Sequence, residues 1–291
     1  GSLVIQTSVL NIDGENSESY TGIFGSVDSD AVGNGGDVII NSTGSFSLVS
    51  GGRIDVSTHG AGDAGNLLIN GKNLIIDRSG VFAEVTQGAT GFGGDVEITN
   101  SGNLSITDGG QISVTTLGEG DAGSLIITTD ELMIDSSDSG YVTGILAGVN
   151  PEAAGSGGDV AILSRGDMSI FNGGHLFVGT HGEGDAGSLF IQAGDLVIDG
   201  ENSDSYTGIF GSVESGAVGN GGDVEITSTG SLSLQQGGLI DVSTKGAGNA
   251  GNLSINTGDF SINRSGVFAE VNPGATGSGG DVSINSRGKL N

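Results

Sequence analysis

The chain has no cysteine and no tryptophan, and only two prolines, three tyrosines and eight basic residues among 291. Without cysteine there is no disulfide and no thiolate ligand for zinc. Proline is too rare, and glycine lacks the strict every-third spacing, for a collagen helix. No uninterrupted apolar run approaches the 18 residues that a membrane-spanning helix needs. Eight bases against 35 acids leave a net charge of −27, a poor match for nucleic acid. What is abundant is glycine: 59 residues, about a fifth of the chain against a usual ~7%. Each interior glycine costs a helix about 1 kcal/mol relative to alanine, which disfavours helix-rich folds. Glycine and charge together suit a disordered chain, but 35% hydrophobic residues in regular positions argue against disorder.

That regularity is an internal repeat. The strings GGDV, AGNL and AGSL place a glycine at Gly1, Gly36, Gly65, Gly94, Gly123, Gly158, Gly187, Gly222, Gly251 and Gly280. The spacing is 29 residues, or 35 where six residues are inserted. A longer period lies on top, since residues 2–104 resemble residues 188–290 at an offset of 186. Each unit carries three short runs of period-2 alternation bounded by Gly, Ser, Asn and Asp, a strand signature. In the unit opened by Gly36 these are Val38 and Ile40, Phe46 and Leu48, then Ile54 and Val56. Two or three inward residues per strand bury nothing alone, so each unit must stack on its copies. The expected fold is all-β: a parallel β-helix of about ten rungs over residues 1–291, with three strands per rung. A β-propeller needs longer, four-stranded units.

Stacking turns equivalent positions into columns. The residue after the corner glycine reads Asp37, Asn66, Asp95, Ser124, Asp159, Ser188, Asp223, Asn252 and Asp281. Such side chains cap turns by bonding backbone N–H groups. Calcium is the one cofactor this ladder invites, but one carboxylate per two rungs is a sparse ligand set. No cofactor or metal is therefore expected.

The six-residue insertions lengthen the turn between the second and third strands of the units opened by Gly1, Gly123 and Gly187. They read IDGENSESYTG (12–22), IDSSDSGYVTG (134–144) and IDGENSDSYTG (198–208), and hold all three tyrosines. Tyr20, Tyr141 and Tyr206, with Glu18, Asp138 and Asp204, are the candidate ligand-contact residues. Loops added to one face of a solenoid are common binding elements. The alternative is that each tyrosine packs over its corner as a lid. In the third strand, inward Val81, Ala83 and Val85 would turn Phe82 outward, with Phe24, Phe210 and Phe268. A bulge would instead turn these rings into the core. The pairs Ser57-Thr58, Thr115-Thr116 and Ser243-Thr244 suggest an ice- or mineral-binding face, but they recur only every second rung and Gly179 interrupts them, which disfavours it.

No catalytic constellation emerges. His59 and His181 occupy a slot filled elsewhere by Leu117 and Lys245, as a solvated turn residue would. Arg78 follows Asp77, the pattern of a corner ion pair. The rungs are nearly identical, whereas a catalytic site breaks such symmetry in one place. The chain is read as non-enzymatic, with a polysaccharide-cleaving β-helix as the least favoured alternative.

The text GNGGDVEITSTGSLSLQQGGLIDVSTKGAGNAGNLSIN (219–256) resembles the repeats of filamentous-haemagglutinin-like exoproteins, in the style of large cyanobacterial adhesins. The resemblance covers essentially the whole chain. It implies a right-handed parallel β-helix secreted by the two-partner pathway to the outer cell surface, as an adhesive or structural shaft. It also implies an outer-membrane transporter as partner during secretion, and host-cell, glycan or matrix surfaces as binding partners. A carbohydrate- or protein-binding β-helix using the tyrosine loops is the alternative. No nucleic-acid partner and no membrane span are expected. Lack of disulfides suits passage across membranes unfolded. The chain starts in register and stops mid-rung at Asn291, which reads as part of a longer rod, and its open strand edges favour end-to-end self-stacking.

Overall fold

The computed structural model describes residues 1–15, 21–136, 140–200, 203 and 205–291. It is a β-solenoid of three parallel sheets that run the length of the chain, with no helix among the described residues. The first sheet has ten strands, from Leu3–Thr7 to Val282–Ser286. The second has nine, from Leu10–Asp13 to Asp259–Asn263, and the third nine, from Thr21–Phe24 to Gly266–Phe268. Every strand pairs with its equivalents in the rungs before and after, so sequence order is spatial order within each sheet. Rungs are numbered 1 to 10 below from the glycines at 1, 36, 65, 94, 123, 158, 187, 222, 251 and 280.

The register stacks like on like. One column of the first sheet is isoleucine in all ten rungs, from Ile5 through Ile40, Ile69 and Ile98 to Ile284. Its members from Ile40 to Ile255 are fully buried. A β-branched side chain packs well against a copy of itself on a pleated surface. Phe46 and Leu48 of the second sheet and Ile54 and Val56 of the third close the same continuous core. A narrower column of single bridges follows the third sheet, alternating Val27, Thr58, Val85, Thr116, Val149, Thr180, Val213, Thr244 and Val271.

Rung spacing explains the corner glycines. A Cβ on Gly187 would collide with the carbonyl oxygen of Gly158, and one on Gly158 with that of Gly123. The column therefore needs close backbone approach, and none of its members has a left-handed φ. Left-handed residues lie at another corner, between the second and third sheets, where Ser50, Arg78, Asp108, Asn172, Gln236 and Arg264 have φ of 45–55°. Among the described residues, only those of rungs without an insertion turn the corner this way.

The polar ladder reaches further than turn capping. Asp37 Oδ1 accepts the N–H of Asn66 in the next rung at 3.0 Å, and Asn66 Oδ1 accepts that of Asp95 at 2.9 Å. A parallel ladder runs through Asn34, Asp63 and Phe92 N–H. These side chains tie rung to rung.

Two open points resolve. Val81, Ala83 and Val85 are fully buried, and the phenylalanines face outward, with Phe24 47% exposed. No bulge turns them in. The hydroxyls of Thr58, Thr116 and Thr244 are inside, donating to Gly62, Gly120 and Gly248 carbonyls at 2.6–2.7 Å. Ser57, Thr115 and Ser243 are buried too, so these pairs form no ice- or mineral-binding face.

Candidate functional site

The insertions fall on rungs 1, 5 and 7, at the corner between the second and third sheets. Rungs 2, 3 and 4 turn that corner tightly, through Ser50-Gly51, Arg78-Ser79 and Asp108-Gly109. These three corners form a floor three rungs wide, about 14 Å at the usual strand spacing, bounded by Gly14 of rung 1 and by Gly140, Tyr141 and Val142 of rung 5. The result is a groove of about 1330 Å³, lined by Arg53, Arg78, Phe82, Gln111, Tyr141 and the glycines between them. Gly51 has nothing within 4 Å of a would-be Cβ, so the floor is bare backbone there.

The floor is organised by its ions. Arg53 points outward from the third sheet and lies 4.0 Å from the centre of the Phe82 ring. It also pairs with Asp55 at 2.8 Å, and Asp55 Oδ1 accepts the N–H of Ser57. Arg78 pairs with Asp77 at 3.3 Å, the corner ion pair expected from their adjacency. Its guanidinium side chain is 61% exposed. The wall is pinned to the floor: Gln111 Nε2 donates to the Val142 carbonyl, and Gly109 N–H to Thr143 Oγ1, both at 2.8 Å.

Of the six candidate residues, Tyr20, Glu18, Asp138 and Asp204 lie outside the described residues. Tyr141 and Tyr206 are each 74% exposed. Tyr141 rests its Cβ over Gly109 of the rung below while its ring borders the groove. It is both a corner cover and a groove wall. Tyr206 borders a second depression of about 550 Å³, with His175, Phe210 and Lys245. The two tyrosines serve different sites. Sequence reasoning did not bring Arg53, Phe82 and Gln111 together with Tyr141. One signal was present: SGGR at 50–53 stands where the 186-residue repeat has QGGL at 236–239.

Beside the groove, burial pushes the Glu84 carboxyl above its usual range, against the pull of its Ser113 hydrogen bond and of Arg53. At the second depression burial works against ionisation of Glu214. The Lys245 hydrogen bond at 2.9 Å and that of Ser212 at 2.8 Å outweigh it and hold the carboxyl low. Burial also holds His175 and His181 below the ordinary imidazole value. His181 lies against Phe177 at 5.1 Å, and His59 Nδ1 bonds Thr86 Oγ1 at 2.9 Å. Among the described residues, no three acids or histidines converge as a metal-ligand set. The ladder carboxylates Asp37, Asp95, Asp159 and Asp223 each already accept a neighbouring amide. Comparison with protein-family models, with curated proteins and with solved structures finds no match to this chain.

Proposed function

We propose that the chain is a non-catalytic shaft segment of a secreted or cell-surface exoprotein of the filamentous-haemagglutinin-like kind. The observation that carries this reading is the unbroken register of ten rungs with one inward isoleucine column. A fold stabilised by nearest-neighbour rungs extends by repetition and forms progressively along the chain. The strong negative charge suits an exposed rod that must stay dispersed. Secretion through an outer-membrane transporter would be eased by the lack of disulfides.

The test is to excise the six rungs 36–221 from the secreted protein. The expected outcome is a rod shorter by about 29 Å, six strand spacings, that is still secreted and folded. Hydrolase or lyase activity on a polysaccharide, abolished by one point substitution, would overturn the reading. The groove favours a second reading, in which the long loops also hold a glycan or protein ligand.

A further inference from the structure

We propose that the groove over the tight corners of rungs 2 to 4 binds an uncharged, extended glycan strand laid along the rod axis. This rests on the ligand-binding reading above, and the test separates failure of one from failure of the other.

Shape comes first. Three tight corners, bounded by Gly14 at one end and by Gly140, Tyr141 and Val142 at the other, leave an open trough about 14 Å long, with bare glycine backbone at Gly51. A strand of linked sugar rings can lie close to such a floor, where side chains would hold it off. The chemistry matches. The exposed Arg78 guanidinium presents donors at the surface, and the Asp108 carboxylate, which also lines the floor, presents an acceptor. Sugar hydroxyls both donate and accept, so the two together satisfy them. A Tyr141 ring 74% exposed at the wall offers a flat apolar face with a polar tip.

Charge selects among glycans. Each groove arginine is matched by its own aspartate, and Asp108 also lines the floor. The trough therefore holds no surplus positive charge, within a chain of net charge −27. A polyanion would be repelled, and an uncharged strand would not. The repeat supplies an internal comparison. At the equivalent floor of rungs 8 and 9, Arg264 and Phe268 are kept but Leu239 replaces Arg53. The full ion arrangement belongs to the first groove.

The experiment is calorimetric titration of the intact chain with linear β-glucan and α-glucan hexamers, with hexagalacturonate, and with an acidic and a basic decapeptide. The expected result is binding of a neutral hexamer, little changed between 50 and 500 mM salt. Tyr141→Ala should weaken it about tenfold and Arg78→Gln about threefold. Both substitutions are at exposed sites, and Gln236 already holds the same left-handed corner position as Arg78, so unchanged melting is expected. Tighter binding of hexagalacturonate would overturn the uncharged assignment, tighter binding of a peptide would overturn the glycan assignment, and either would keep the binding reading. Neutral binding unaffected by both substitutions would overturn the location. No binding of any probe would overturn both.

Discussion

At the scale of single residues, the corner glycines and one buried asparagine carry the sharpest consequences. Gly187→Ala places a methyl group against the Gly158 carbonyl oxygen in a stack that cannot open without breaking ladder bonds. The expected loss is about 1–3 kcal/mol, the usual cost of overpacking, read by denaturant unfolding. Gly33→Ala, with open space around it, should change stability by less than about 0.5 kcal/mol and serves as the control. Asn100 is fully buried, and neither atom of its amide has a hydrogen-bond partner. Its column-mate Thr129 donates to the Gly102 and Glu131 carbonyls, and Ser164 donates to the Asp130 and Asp167 carbonyls. Asn100→Thr should therefore stabilise the rod by about 1 kcal/mol, since a buried unsatisfied polar group is penalised by roughly that much or more. A lower unfolding midpoint in this variant would refute that account. The glycine at each corner was plain in the sequence, but its reason was not. Close approach and a left-handed φ both select glycine, and only the rung spacing distinguishes them.

At the scale of elements, two carboxylates beside the single-bridge column that follows the third sheet, Glu84 and Glu214, are tuned in opposite directions. The folded state favours the protonated form of Glu84, so this residue adds stability at low pH and loses that contribution as pH rises through its raised value. Glu84→Gln should raise the melting midpoint at pH 7 and bring no gain near about pH 3. Glu214, held low by Lys245 and Ser212, contributes above the ordinary carboxylate value and loses that contribution as pH falls. Glu214→Gln should lower the midpoint at pH 7, with the difference vanishing on acidification. Melting curves of both variants across pH check the pair. Alternation in Val81, Ala83 and Val85 left the facing of the phenylalanines open to a bulge, and the packing decides it: those three are buried, Phe82 is half-buried on the outside and Phe268 is exposed. Nor did alternation give the buried threonines. Thr58 and Thr116 were candidates only for a flat ice- or mineral-binding face, whereas each closes its own turn by bonding a carbonyl four residues on.

At the scale of the whole molecule, like charges crowd a thin rod. Raising salt from about 10 to 500 mM shortens the Debye length from about 30 Å to a few ångström, so it should raise the melting midpoint. A midpoint that falls with salt would mean that ion pairs such as Lys245–Glu214 outweigh the repulsion. Architecture was legible because a solenoid repeats its own instructions: the 29-residue spacing, the three alternating runs and the inward columns are local patterns copied ten times. The groove was not legible in that way. Its ends come from Gly14 and from Gly140, Tyr141 and Val142, and its floor from the corners at 50, 78 and 108, all far apart in the chain. The repeat period says that rungs stack, but side-chain chemistry across three rungs depends on which corners are tight and which way each arginine turns. The sequence by itself determined a stacked, acidic, glycine-cornered coil, because hydrophobic periodicity and backbone sterics act within one rung and between neighbours. The tertiary structure alone decided that Arg53 covers Phe82, that Tyr141 spans Gly109, and that the threonines point inward. Those contacts join different rungs or compete with solvent, and packing settles them after the coil has closed.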